Sequence, residues 1–195
     1  ITCRDWSSDV CSSDLAKEVI DDDVLIDQNE VDVEEECLKI LALHQPVAID
    51  LRFIVTALKI NVDLERIGDL SVNIAERSEF LARNEPAPIP FDFEQMAQIT
   101  QQMLRDSLDA LVNMNCPLAQ KVLKDDDKVD AINRQMYDQV KVAIQEHPEF
   151  IESLIHLLSV SRHLERIADH AVNIAEEVIY MAEGRIIRHK TEDYQ

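Results

Sequence analysis

Apolar residues recur along this chain at three- and four-residue intervals, the signature of amphipathic helices. In "LERIGDLSVNIAE" (64–76), Leu64, Ile67, Leu70 and Ile74 share one arc. Taking about 100° per residue from Glu65, Asp69, Asn73 and Glu76 fall within roughly 80° of one another on the adjoining edge. Prolines divide the pattern. Pro46, Pro117 and Pro148 each suit the first turn of a new helix. "NEPAPIP" (84–90), with three prolines, reads as a linker. The predicted helices span residues 15–44, 46–83, 92–114, 117–146 and 148–183, and Gly184 is the stop signal of the last. Segment 46–83 alone would be about 57 Å long at 1.5 Å per residue, a length typical of helical bundles.

The pattern repeats. "LERIGDLSVNIAE" returns as "LERIADHAVNIAE" (164–176), identical at ten of thirteen positions after a shift of 100. "LAKEVIDDDVLID" (15–27) aligns on "LAQKVLKDDDKVD" (118–130) after a shift of 103. The second half therefore reads as three helices, and the first has counterparts only for the last two. The organisation expected is a leader at 1–14, a first repeat at 15–83, a linker at 84–91, a second repeat at 92–184 and a tail at 185–195. The leader, "ITCRDWSSDVCSSD", lacks helical periodicity and reads as non-native or disordered sequence. The fold class expected is all-α, two tandem three-helix bundles, the first lacking its N-terminal helix. An uncovered apolar groove on the first repeat predicts marginal stability or self-association there.

Composition narrows the chemistry. Two glycines in 195 residues leave no phosphate-binding glycine loop. With 39 acidic against 19 basic residues the net charge is −20, which repels nucleic acid and anionic lipid and attracts cations or basic protein surfaces. No apolar run reaches the length of a membrane span, so no direct membrane insertion is expected. Cys37 and Cys116 are isolated and read as buried free thiols of a reducing, cytoplasmic setting.

Two acidic stripes carry the candidate chemistry. Glu65 and Asp69 recur as Glu165 and Asp169; Asp23 and Asp27 recur as Asp126 and Asp130. Glu30 and Glu34 continue the first-half stripe, whereas Asn133 and Tyr137 take those places in the second half. Like charges at i,i+4 cost a helix about 0.2–0.5 kcal/mol per pair, and facing two such helices adds repulsion. A bound multivalent cation would offset it. All-oxygen donors suit magnesium, manganese, calcium or iron. The competing reading is a solvated face, but a solvated face exchanges Glu, Asp, Lys and Gln freely, and here the residue types persist. Asn73 and Asn173 are candidates for bonds to a neighbouring helix. Gly68, opposite Ala168, reads as a close helix contact. His163 and His170 read as surface or interface residues, and Tyr137 and Tyr180 as packing residues.

The paired "LERI[GA]DxxxNIAE" motifs, with "PVAIDLR" (46–52) ahead of the first, resemble the PhoU family of phosphate-specific transport accessory proteins over about residues 15–190. The resemblance implies tandem three-helix bundles in a cytoplasmic, homodimerising protein. It implies a regulator acting between the ATPase of a phosphate ABC transporter (PstB-like) and a sensor histidine kinase (PhoR-like), repressing the phosphate-starvation response. It also implies multinuclear iron or other metals on paired acidic motifs, which here are Glu65/Asp69 with Asp23/Asp27 and Glu165/Asp169 with Asp126/Asp130. No catalytic constellation accompanies them, so a non-enzymatic regulator is expected. The alternatives are a metal-free helical adaptor and a carboxylate-bridged di-iron enzyme; the latter needs paired Glu-x-x-His motifs, which the sequence lacks.

Overall fold

A computed structural model describes residues 9–87 and 93–187, with side chains from residue 14 onward. Five long helices make up almost all of it: α1 (Asp9–His44), α2 (Ile49–Arg83), α3 (Phe93–Asn113), α4 (Cys116–Glu146) and α5 (Ile151–Glu183). There is no strand among the described residues. Residues 1–8 of the expected leader, 88–91 of the linker and 188–195 of the tail lie outside the described residues. Residues 9–14, read from the sequence as part of the leader, are the first turns of α1. Extending a formed helix requires only propagation, so weak periodicity does not stop it.

The prolines act in three ways. Asn115 caps α4, its side chain accepting from the Leu118 amide at 3.2 Å, with Pro117 in the first turn as expected. Pro148 opens a short 3₁₀ turn (Pro148–Phe150) that leads into α5. Pro46 starts no helix. Gln45 and Ala48 on either side have φ of 47° and 50°, and α2 begins only at Ile49. Gly184 ends α5 in the left-handed region at φ 71°, its amide donating to Tyr180 O at 2.9 Å.

Helices α3, α4 and α5 form a three-helix bundle. Met96, Met103, Val122, Val129 and Met136 interdigitate with the small residues Ala168, Ala171 and Ala175 of α5. Helices α1 and α2 pair as a hairpin, and α2 lies antiparallel along α5. Antiparallel order follows from the cross-links. Arg52 meets Met181, Lys59 meets Glu177, Asp63 meets His170, and Phe80 meets His156. Ile60, Ile67 and Leu70 pack on Ile167, Ile174 and Met181 in the apolar part of this seam. The matched residues Ile67 and Ile167 sit at its middle, so the two halves are related by an approximate two-fold axis through the seam.

The halves are covered unequally. Val129 and Met136 are essentially inaccessible beneath α3, whereas their counterparts Ile26 and Val33 are 38% and 41% exposed. The apolar face expected on the first repeat is therefore open among the described residues. Cys37 is buried as expected, and Cys116 is only half-buried.

Candidate functional site

The second-half acidic stripes converge. Helix α4 carries Asp126 and Asp130 one turn apart, and α5 presents Glu165 and Asp169 beside them. Their proximity registers in their acidity. Burial, then the charges of Asp169, Asp130, Asp127 and Glu165, push the Asp126 carboxyl up to about 6. Burial and Asp169 and Asp130 also raise Glu165, against the lowering pull of Arg162 and Arg166. Asp169 is raised by burial and by Asp130, with His170 and Arg166 opposing. Arg134 reaches Asp130 at 3.7 Å from the solvent side.

The first-half stripes converge in the same way but under less cover. Asp23 is raised by burial, then by Asp27 and Asp69. Glu65 is raised by burial, then by Asp69, Asp27 and Glu30, with Arg66 opposing. Gly68 sits in the α1–α2 contact: a methyl group there would lie 2.8 Å from Asp23 Oδ1 and 3.1 Å from Ile26 Cδ1. Glycine thus lets the Asp23 carboxylate rest against the backbone of α2, as the close-contact reading of this position expects.

Both sets are oxygen-only and electrostatically frustrated, and this donor chemistry fits a hard or iron-type cation. Their geometry is that of an open cluster. Among the described residues no three His, Cys, Asp or Glu side chains close on a common point as a ready ligand set.

Other repeated residues diverge in role. Asn173 Nδ2 donates across the seam to Asp63 Oδ1 at 3.2 Å, and His170 Nδ1 bonds the same oxygen at 2.8 Å. Asn73 instead donates to the Asp69 carbonyl of its own helix at 2.7 Å. His170 is an interface residue as expected. His163 is half-buried, its Nδ1 enclosed and without a hydrogen bond, and burial followed by Arg77 lowers its pKa. Tyr137 is not a core packing residue: it is 52% exposed, with Lys141 Nζ 4.3 Å from its ring centroid. It lines the groove between α4 and α5.

Sequence reasoning missed a polar latch at the other end of the seam. Arg52, Thr56 and Lys59 lie on one face of α2. Arg52 donates to Met181 O at 3.4 Å and stands 5.5 Å from the Tyr180 ring. Thr56 and Lys59 donate to the buried Glu177 carboxylate at 3.4 and 3.1 Å. Gly184 leaves the space the Arg52 guanidinium fills. The signal was present in a charged residue, Glu177, set directly before the apolar Val178-Ile179 pair, and in the arginine of "PVAIDLR".

The family model described as the PhoU domain matches residues 9–78 and again 93–178. A similar protein from Aquifex aeolicus, a phosphate-specific transport system accessory protein PhoU homolog, is 43% identical over 177 residues, covering 91% of this chain and 80% of that protein. The homolog from Pseudomonas aeruginosa is 36% identical over 178 residues, covering 91% and 74%. The crystal structure of PhoU from Pseudomonas aeruginosa superposes with a TM-score of 0.86 over 89% of this chain and 83% of that one, at 36% identity. The phosphate transport system regulatory protein PhoU from Streptococcus pneumoniae gives 0.77 over 89% and 82%, at 30% identity. Two tandem matches, the sequence identities and the shared helical architecture place this chain in the PhoU family.

Proposed function

We propose that the chain is a non-catalytic accessory regulator of a phosphate-specific transport system, and that its two acidic clusters take multivalent cations. The observation that carries this reading is the convergence of matched carboxylate pairs from adjacent helices in both halves, strongest where Asp126 is held at about 6. Family membership supports the transport role, since the relatives are named accessory or regulatory proteins of phosphate transport. Docking on the transporter ATPase and on a sensor histidine kinase, with repression of the starvation response when phosphate is plentiful, follows from the family resemblance. No described helix is long and apolar enough to cross a membrane, which suits a protein that reaches a transporter by docking. Glu65, Asp69, Asp23 and Asp27 form the first cation cluster, and Glu165, Asp169, Asp126 and Asp130 the second. Iron, manganese and magnesium all match the donors; a cation there would neutralise the repulsion between the facing helices.

A second reading has its own observation. The open geometry of the clusters fits a metal-free helical adaptor whose acidic faces meet basic partner surfaces. Stripping the protein with chelator, reloading it with manganese or iron, and measuring bound metal separates the two. Stoichiometric metal that falls by about half in Glu165→Ala/Asp169→Ala supports cation binding; no stoichiometric metal in the intact protein favours the adaptor. Co-purification with the transporter ATPase and the kinase tests docking separately, and the docking proposal fails if neither partner is retained.

A further inference from the structure

Along the α4–α5 contact lies a groove of about 400 Å³ walled by Asn133, Arg134, Tyr137, Leu158 and Arg162 together with the carboxylates of Asp138 and Glu165. It places two guanidinium groups together on a chain of net charge −20. Each carboxylate in or next to it has a cation near it. Asp138 pairs with Lys141 at 3.5 Å, Asp130 with Arg134 at 3.7 Å, and Glu165 lies under the influence of Arg162. Lys141, 4.3 Å from the Tyr137 ring, adds a third cation at the rim. The fully buried Ser161 donates to Asn133 Oδ1 at 2.6 Å, which orients this groove-lining amide and leaves its Nδ2 NH2 group as the donor.

The first half has no such arrangement. Matched through the two repeat shifts, Asn133, Arg134, Tyr137 and Arg162 correspond to Glu30, Val31, Glu34 and Val62. Leu158 and Glu165 keep their identity as Leu58 and Glu65. The frame of the groove is thus common to both repeats, and at these positions the cations and the hydrogen-bond donors belong to the second alone.

We propose that this groove binds a small oxyanion, a phosphoryl or carboxylate group, gripped by Arg134 and Arg162 and completed by the Asn133 side-chain amide N–H and the Tyr137 hydroxyl. Guanidinium groups present paired N–H donors that match two oxygens of such a group, and they shed water more readily than ammonium groups. The Leu158 floor lowers the local dielectric and strengthens those bonds. The site adjoins the second acidic cluster, sharing Glu165 with it and bordering Asp130 through Arg134, but its proposed ligands are the arginines and their neighbours.

Isothermal titration of the full chain in chelator-containing, low-salt buffer tests this, with inorganic phosphate and L-glutamate as separate probes. Saturable one-to-one binding of at least one probe is expected; the tighter probe tells phosphoryl from carboxylate. Arg134→Gln/Arg162→Gln should weaken it about tenfold or more, since charge-assisted bonds are lost. Arg162→Lys, which keeps the charge and loses the fork, should weaken it by a smaller factor. Arg105→Gln on α3 should leave it unchanged. Absence of saturable binding to either probe overturns the proposal, as does equal affinity in the double variant or an equal loss in Arg105→Gln.

Discussion

The two halves use the same acidic motif under different cover. In the second, α3 lies over α4 and α5, Val129 and Met136 are sealed, and the Asp126 carboxyl is driven up to about 6. In the first, Ile26 and Val33 remain accessible, and the carboxyls of Asp23 and Glu65 rise for the same reasons without reaching so large a shift. The carboxylates themselves are matched residue for residue. What differs is how strongly the surrounding protein desolvates them, because the self-energy of a charge depends on its surroundings and not on its place in a motif. A repeated motif thus yields one strongly perturbed cluster and one milder one.

The largest expected contrast lies in the core. Met136→Ala should cost about 2–4 kcal/mol in urea unfolding, with its transfer and cavity terms both fully expressed. Val33→Ala, at the matched but open position, should cost less than about 1 kcal/mol. Equal losses would mean that the first half is covered in solution, for instance by self-association. Sedimentation measured alongside would identify that.

A smaller effect, on the order of 1 kcal/mol after allowance for solvent screening, is expected at Asp126. Its folded-state pKa lies above the unfolded value of 3.8, so the folded state holds the proton more tightly. The associated stability is full below about pH 4, declines as pH rises through 6, and is gone at pH 7. Asp126→Asn should therefore be more stable than wild type at pH 7, with the gain shrinking to nothing near pH 4. Taking the difference between variant and wild type cancels the opposing contributions of His156 and His163, whose lowered pKa values weaken the fold on acidification. Asp23→Asn should show the same sign and a smaller span. A pH-independent difference at Asp126 would remove the coupled cluster from consideration.

The smallest contrast concerns the two asparagines. Asn173→Ala removes a bond across the seam to Asp63 and should cost about 1 kcal/mol. Asn73→Ala removes only a bond to its own helix and replaces a poor helix former, so its effect should stay within about 0.5 kcal/mol of zero. If the two variants behave alike, the seam of the isolated chain is looser than the Asp63–His170–Asn173 cluster implies.

The helices, the internal repeat and the eight carboxylates were legible from spacing alone. A period near 3.6 residues names the buried arc, and a doubled motif names the positions held constant. Several matters were not legible. Asp63 and Glu177 become meaningful only when α2 lies antiparallel on α5 with Ile67 and Ile167 at the centre. Asn73 and Asn173 share a motif and differ in partner because only Asn173 faces Asp63. Pro46 resembled a helix start, yet the backbone turns through Gln45 and Ala48 first. The groove with Arg134 and Arg162 joins residues 28 positions apart on two helices, where linear spacing carries no signal. Local periodicity determines which residues face inward, because it depends on the helix alone. Which charges meet, and how far water is kept from them, depends on neighbours brought in by packing, and that was decided by the tertiary structure.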